Sequence, residues 1–162
     1  MNGFGLEAVV PLVPLVGEEY RKWIFDIEHR LNDSGRQTFD RHSEDSPFKL
    51  EHTFTPGLYT RELSMPKGGL LISRIHIFEH PFILSKGEIS IYDGEKVLRI
   101  KAPYRGITKP GTKRIIYMHD DSILTTFHVT DKCTLEDVDV NGVITCETFE
   151  EFDAFVTKEI TP

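Results

Sequence analysis

The sequence predicts an all-β domain, a small barrel or sandwich, with one helix before it and one after it. Between about Leu58 and Val140, short runs rich in Ile, Val, Phe, Tyr and Thr alternate with turn residues every eight to twelve positions or so, as in barrels and sandwiches. No run in this region reads as a helix, which argues against alternating strands and helices. We therefore expect an N-terminal helix and loop extension at residues 1–57, a β-barrel at 58–140 and a C-terminal strand and helix at 141–162.

The first helix is predicted from about Glu18 to Leu31. Apolar residues recur there at spacings of three and four, which marks one face of an amphipathic helix; they are Tyr20, Trp23, Ile24, Ile27 and Leu31. From Arg36 to Pro56 the chain is polar and aperiodic. This stretch predicts a long loop.

The β body is predicted from its runs and from the turns between them. The runs are LYTREL, LLISRIHI, FILSKGEISIY, KVLRIKA, RGITK, KRIIYMH and ILTTFHVT. The Asp93-Gly94 pair is the strongest hairpin signal in the chain.

The C-terminal segment predicts one more strand and a helix. The strand covers Val143 to Cys146. Thr148 and Glu151 have the spacing of a capping box, in which the side chain of each residue accepts a hydrogen bond from the backbone N–H of the other. The apolar stripe that follows predicts a helix ending near Thr157.

Composition excludes several classes of function. The 162 residues include 19 basic and 26 acidic ones, a formal charge of −7, whereas nucleic acids and anionic membranes require a basic face. The apolar stretch Ala8 to Val16 is too short to span a bilayer and lacks the basic start of a secretory signal. We expect a cytoplasmic protein with two reduced thiols, no nucleic-acid partner and no membrane contact. Motifs of serine hydrolases, P-loop NTPases and dinucleotide-binding folds are missing from the sequence.

Three histidines of the β body are the candidate metal ligands. Because alternate residues of a strand share a face, His80 shares a face with Phe82 and Leu84, and His128 with two threonines, while His76 ends another run. Three imidazoles from separate strands inside a barrel form a transition-metal site with open positions. The alternative is that they are surface or hydrogen-bonded histidines.

Two stretches carry a resemblance to a known family. The first is IHIFEHPFILSKGEISIYDG, and the second is APYRGITKPGTKRIIYMHDDSILTTFHVTDKCTLEDVD. Together they resemble a cupin, and more narrowly the small cupin-like proteins of bacteriophages and bacteria, over about Leu58 to Asp139. The resemblance implies a jelly-roll β-barrel, a homodimer or higher oligomer, and a viral or bacterial origin with the host cytoplasm as the location if viral.

The resemblance also implies where a metal would bind, with departures from the family pattern. The position of the first motif histidine holds Arg74, the second holds His76, and the glutamate position holds His80. The histidine of the second motif falls at about Arg114, and the next strand supplies His128 instead. What remains is a rearranged site at His76, His80 and His128 for a divalent metal, namely Fe, Mn, Ni or Zn. Glu79 is then the candidate for an added ligand or for the partner that orients an imidazole.

The two arginines suggest an anionic ligand. If Arg74 and Arg114 point into the barrel, each is a permanent cation, and an unpaired buried charge is costly. An internal carboxylate or an anionic ligand must then pair with them. The alternative is that a bulge breaks the strand alternation and both arginines reach solvent.

Two functions of different classes follow. The first is a metal-dependent enzyme in which Arg114 binds an anionic small molecule; its reaction is open, because the fold does not select one. The alternative is non-enzymatic binding or sequestration of a phosphate- or nucleotide-like anion, or an accessory or assembly role in a phage.

Overall fold

The computed structural model describes residue 6 and residues 9–33, 46–134, 136 and 144–160, most of which form antiparallel strands. The helices are α1 (Gly17–Asp33) and α2 (Phe149–Ile160). The strands are β1 (Lys49–Thr55), β2 (Leu58–Met65), β3 (Leu70–Ile72), β4 (Ile75–His76), β5 (His80–Lys86), β6 (Glu88–Tyr92), β7 (Val97–Lys101), β8 (Tyr104–Thr108), β9 (Ile115–Met118), β10 (Ser122–Val129) and β11 (Thr145–Cys146). None of the helices in these ranges is long and apolar enough to cross a membrane.

Strand pairing defines the fold. One sheet has the order β1-β2-β10-β5-β8, a second has the order β3-β9-β6-β7, and β11 pairs with β4 in a small third sheet. The pairs are nested along the chain: β2 with β10, β3 with β9, β5 with β8, and β6 with β7. A long antiparallel hairpin folded into two facing sheets is a jelly roll. The predicted all-β barrel with a helix on each side is confirmed.

The side chains that face the interior of the barrel change in polarity along strands β2 and β10. Between β2 and β10, Tyr59 pairs with His128, Arg61 with Thr126, and Leu63 with Leu124. Because side chains alternate between the two faces of a strand, all three pairs face the interior. The barrel therefore has a histidine layer, an arginine layer and a leucine layer in succession.

Helix α1 packs against the turn that leads into β9. Its buried residues are Tyr20, Ile24, Ile27 and Leu31, the predicted face apart from Trp23, which is partly buried. The Tyr20 hydroxyl donates a hydrogen bond of 2.6 Å to the carbonyl of Lys113. A Cβ at position 94 would lie only 2.9 Å from the Tyr20 ring. Glycine at this turn therefore leaves the space that the Tyr20 side chain of α1 occupies.

Helix α2 begins with the predicted capping box. The Thr148 hydroxyl accepts from the Glu151 N–H at 3.2 Å, and the Glu151 carboxylate accepts from the Thr148 N–H at 3.4 Å. The helix continues to Ile160, three residues beyond the predicted end at Thr157. An ion pair of 2.6 Å between Arg21 and Asp153 joins the two helices.

Two local predictions were wrong. The stretch predicted as a loop as far as Pro56 contains β1, whose pairing with β2 begins at Lys49. This is an edge strand with polar outward residues, so its sequence lacks the apolar enrichment that marks inner strands. The run LLISRIHI also divides into β3 and β4 at Ser73 and Arg74. The Val143 end of the last predicted strand lies outside the described residues, and β11 is confirmed at Thr145 and Cys146.

Candidate functional site

The three predicted histidines meet inside the barrel. The ring centroids of His76 and His80 are 4.6 Å apart, and those of His80 and His128 are 4.4 Å apart. Those of His76 and His128 are 6.4 Å apart. We call His76, His80 and His128 the histidine cluster. Strands β4, β5 and β10 contribute one member each, as the alternation of inward residues predicted.

Hydrogen bonds orient two of these rings. His80 Nδ1 lies 3.0 Å from the carbonyl oxygen of Phe78. Because a carbonyl only accepts, Nδ1 carries the proton, and Nε2 of the neutral ring has a lone pair. His128 Nε2 lies 2.9 Å from the Thr126 hydroxyl. Within the described part of the chain, the buried atoms His76 Nδ1 and His80 Nε2 have no hydrogen-bond partner.

The environment keeps the cluster neutral. Burial lowers the pKa of His76 well below the usual histidine value, and the neighbouring His80 and Arg114 lower it further. Burial also lowers the pKa of His80, against the opposing effect of its bond to Phe78. The pKa of His128 falls to about 3, first by burial and then through His80. Neutral imidazoles at pH 7 both accept and donate hydrogen bonds.

Arg114 is a buried cation without a carboxylate partner. Its side chain is buried beneath the cluster, and one guanidinium nitrogen donates to the Thr108 hydroxyl at 3.1 Å. The guanidinium carbon lies 5.2 Å from the centroid of the Phe82 ring. Among the residues that the structure describes, no carboxylate forms an ion pair with Arg114, and its buried Nε has no partner. Burial lowers the pKa of this guanidinium to about 10, against the opposing effects of the Asp93 carboxylate and the Tyr20 hydroxyl.

The PGTKR turn delivers Arg114 to this position. The Gly111 N–H donates to the His76 carbonyl at 2.8 Å, and the His76 N–H donates to the Thr112 carbonyl at 3.1 Å. Gly111 has a φ of 73°, a conformation that glycine adopts without steric cost. These bonds hold the turn against β4, so the residue that leads into β9 enters the interior beside His76.

Arg74 differs from Arg114 in that the protein itself supplies a counter-ion. Its guanidinium forms an ion pair with the Glu147 carboxylate just after β11. The side chain is partly exposed and also reaches the interior cavity. Both arginines line the interior cavity, which is one of the two orientations that the sequence left open, and only Arg74 forms an ion pair with a carboxylate.

A small cavity lies between the arginine layer and the leucine layer. Its volume is about 80 Å³. The lining residues come from both sheets and from the loops beside β4: Arg61, Leu63, Leu71, Ser73, Arg74, His76, Arg114, Ile116, Leu124, Thr126 and Thr145. Of the histidine cluster, only His76 lines it. The cavity therefore has cationic and hydroxyl groups at one end and aliphatic side chains at the other.

Glu79 lies away from the cluster. Its carboxylate is exposed and accepts a hydrogen bond of 2.6 Å from Lys109. The role of orienting an imidazole, which was predicted for Glu79, belongs instead to the Phe78 carbonyl, which accepts a hydrogen bond from His80. Because the chain bends between β4 and β5, His80 faces inward while its neighbour Glu79 faces solvent.

Sequence reasoning missed Arg61 and Thr145. Arg61 stands between Tyr59 and Leu63 in an alternating strand, so its inward position was readable from the period of two. The adjacent Glu62 made the pair resemble a solvated surface. Thr145 reaches the cavity only because β11 pairs with β4, a long-range contact with no local sequence signal.

The cluster suits a transition metal in ligand type but not in its present arrangement. Neutral imidazole nitrogens are common ligands of Zn and Fe. Within the described residues, however, no three His, Cys, Asp or Glu side chains form a group able to hold a metal ion. His128 Nε2 is engaged with Thr126, and the fixed charge of Arg114 opposes a second cation nearby.

Several solved structures are similar to parts of the chain at low sequence identity. An acetylacetone dioxygenase from Acinetobacter johnsonii is 17% identical, with 60% of this chain and 69% of that chain covered and a TM-score of 0.46. A cupin superfamily protein from Desulfitobacterium hafniense is 8% identical, with 56% and 84% covered and a TM-score of 0.46. The Cnp3 cupin domain of Schizosaccharomyces pombe is 21% identical, with 56% and 64% covered and a TM-score of 0.43. No protein-family model and no curated protein sequence matches the chain.

Proposed function

We propose that this cupin-like protein binds an anionic small molecule in the barrel cavity, with Arg114 as the residue that pairs with the anion. The observation that carries the proposal is the buried guanidinium of Arg114, which has no carboxylate partner in the described part of the chain. A buried charge left unpaired costs several kcal/mol. An oxyanion against this guanidinium offsets that cost, and the bonds are charge-assisted.

The surroundings of Arg114 favour the same kind of ligand. Arg61, Arg74 and His76 line the same cavity. The buried Nδ1 of His76 and the buried hydroxyl of Thr145 lack partners among the described residues. These groups add positive potential and hydrogen-bond donors where an oxyanion would lie, and a low local dielectric strengthens both effects.

The proposal is tested by thermal unfolding in the presence of small anions. The full chain is dialysed into an anion-poor buffer and titrated at constant ionic strength with sodium phosphate, sulfate, formate and acetate. A ligand that binds only the folded state raises the Tm in a saturable way. We expect this rise for at least one anion, its loss in Arg114→Met, and its retention in Arg105→Met, which removes an exposed arginine of β8. No saturable rise, or a rise that survives in Arg114→Met, overturns the proposal.

A second candidate function is a metal centre at the histidine cluster. The observation that favours it is the pair of buried, unpartnered nitrogens, His76 Nδ1 and His80 Nε2, on rings 4.6 Å apart. A third ligand requires His128 to leave Thr126. A bound Fe, Mn, Ni or Zn ion would supply Lewis-acid chemistry or activate water or dioxygen, with Arg114 holding the anionic substrate.

Elemental analysis separates the second candidate from the first. Untagged protein and His128→Ala are each incubated with Fe, Mn, Ni or Zn and freed of excess ion. Near-stoichiometric metal in the parent and its loss in the variant support the metal centre. Metal-free protein after all four incubations rejects it and leaves the anion site to be judged by its own titration.

A further inference from the structure

We infer that the anion is a monocarboxylate with a short aliphatic chain, whose carboxylate meets Arg114 and whose chain lies against the leucine layer. This inference rests on the proposed function and narrows its ligand. Three properties of the cavity carry it: the separation of polar from apolar lining, the charge left for a ligand to balance, and the volume.

The lining is divided along the barrel axis. Arg61 pairs with Thr126 across β2 and β10, and the next inward pair is Leu63 with Leu124. From the facing sheet, Leu71 pairs with Ile116, and all four aliphatic residues line the cavity. An oxyanion at the Arg114 end therefore has an entirely hydrocarbon wall on its other side.

Such a wall disfavours inorganic oxyanions. Phosphate and sulfate carry oxygens in all directions, so part of their surface would face leucine without a hydrogen bond, which costs free energy. A carboxylate carries both oxygens at one end. The hydrocarbon part that follows gains free energy from burial against the aliphatic wall.

The charge to be balanced favours a monoanion. Three arginines line the cavity, namely Arg61, Arg74 and Arg114. Arg74 is neutralised by its ion pair with Glu147. Arg114 forms no ion pair with a carboxylate of the described residues, and Asp93 acts on it only from a longer distance. A single negative charge therefore compensates Arg114 without adding an excess.

The volume limits the length of the chain. An engineered apolar cavity of roughly 150 Å³ holds benzene, and the cavity here measures about 80 Å³. By proportion to the six non-hydrogen atoms of benzene, it holds roughly three to four non-hydrogen atoms. Formate and acetate fall in this range, whereas a nucleotide is far larger.

Thermal unfolding with a homologous series tests the inference. The full chain is titrated with sodium formate, acetate, propionate, butyrate and hexanoate at constant ionic strength and pH, with phosphate and neutral propionamide as controls. We expect Kd to fall about fourfold for each added methylene as far as acetate or propionate and to rise again for the longer acids. Propionamide should give no saturable rise in Tm, because it lacks the charge.

A variant of the wall provides a second readout. Leu63 is only partly buried, so Leu63→Ala shortens the wall at less cost to folding than truncation of a fully buried leucine would have. The longest well-bound acid should then increase by one or two carbons. Arg114→Met should lose binding of every acid, and Arg105→Met should retain it.

The outcomes separate this inference from the proposed function. One outcome overturns the inference but leaves the anion site of the proposed function intact. It is saturable, Arg114-dependent stabilisation by phosphate or sulfate, combined with carboxylates whose Kd does not depend on chain length. Propionamide that binds as well as propionate overturns both, because charge is then irrelevant. Both also fall if no anion of either panel binds.

Discussion

Replacing Arg114 by methionine should make the ligand-free protein more stable, because it removes a buried charge that lacks an internal partner. Burial lowers the pKa of Arg114 to about 10, below the usual guanidinium value, and each unit of pKa corresponds to about 1.4 kcal/mol. The buried charge therefore costs about 3 kcal/mol relative to arginine in water. This value sets the upper limit of the expected gain.

Two favourable contacts are lost in the variant and reduce the gain. The Thr108 hydroxyl loses its donor, which costs about 1 kcal/mol, and the contact of the guanidinium with the Phe82 ring contributes up to about 1 kcal/mol. The net expectation is a rise of about 1–2 kcal/mol in the free energy of unfolding, or roughly 2–8 °C in Tm for a chain of this size.

Urea unfolding of the dialysed protein measures this difference, with the fluorescence of Trp23, the single tryptophan, as the signal. Arg105→Met is the matched control, because the same change at an exposed position should alter the free energy of unfolding by less than about 0.5 kcal/mol. An Arg114→Met variant less stable than the wild type, with an unchanged m-value and an unaffected control, would refute the reasoning. Arg114 would then be compensated within the protein and would need no anion.

Three further predictions concern the histidine cluster, the attachment of α1 and the turn before β6. Burial holds the pKa of each clustered histidine below its value in the unfolded chain. The free energy of unfolding is therefore independent of these histidines above about pH 6.5 and falls below that pH by up to about 1.4 kcal/mol per pH unit per histidine. Urea titrations from pH 7.5 to 5 measure this slope. Glu28→Gln leaves the buried Lys113 ammonium without the carboxylate that lies 3.0 Å away, and should lower the free energy of unfolding by about 1–3 kcal/mol. Gly87→Ala should cost more than about 2 kcal/mol in the same assay, because φ is 86° and the new Cβ would lie 2.6 Å from the Asp121 backbone carbonyl oxygen.

Matched variants make these three predictions specific. His128→Gln should lessen the pH slope, and an unchanged slope would show that His128 is not held neutral. Asp26→Asn, which breaks an exposed pair with Arg30, should change the free energy of unfolding by less than about 0.5 kcal/mol; a loss equal to that of Glu28→Gln would contradict the role of Lys113. Gly57→Ala has a similar φ of 80° but open space around its Cβ, so a cost as large as that of Gly87→Ala would remove the steric argument.

Local patterns in the sequence were enough to predict the secondary structure of most of the chain. The apolar spacing of Tyr20, Ile24 and Ile27 places one face of α1 against the body, and the Thr148–Glu151 box starts α2. Both arise from contacts within one or two helical turns. Edge strand β1 was missed because the polar His52 occupies an inward position between Leu50 and Phe54, which weakens the apolar alternation.

Strand periodicity also predicted that His80 shares a strand face with the apolar Phe82 and Leu84, and that His128 shares one with two threonines. Since a strand has only two faces, a run with apolar neighbours at every second position assigns the side of each residue. The meeting of the three imidazoles additionally required the nested pairing of the strands, which the sequence supported only through its resemblance to cupins.

The sequence by itself thus determined most of the strands, the two helices and which residues share a strand face with the histidines, because these depend on neighbours close along the chain. Only the tertiary structure decided that Glu147 compensates Arg74, that Arg114 has no carboxylate among the described residues, and that Glu79 pairs with Lys109 at the surface. Charge compensation depends on distances between side chains remote in sequence. Those distances are set when the two sheets close on each other.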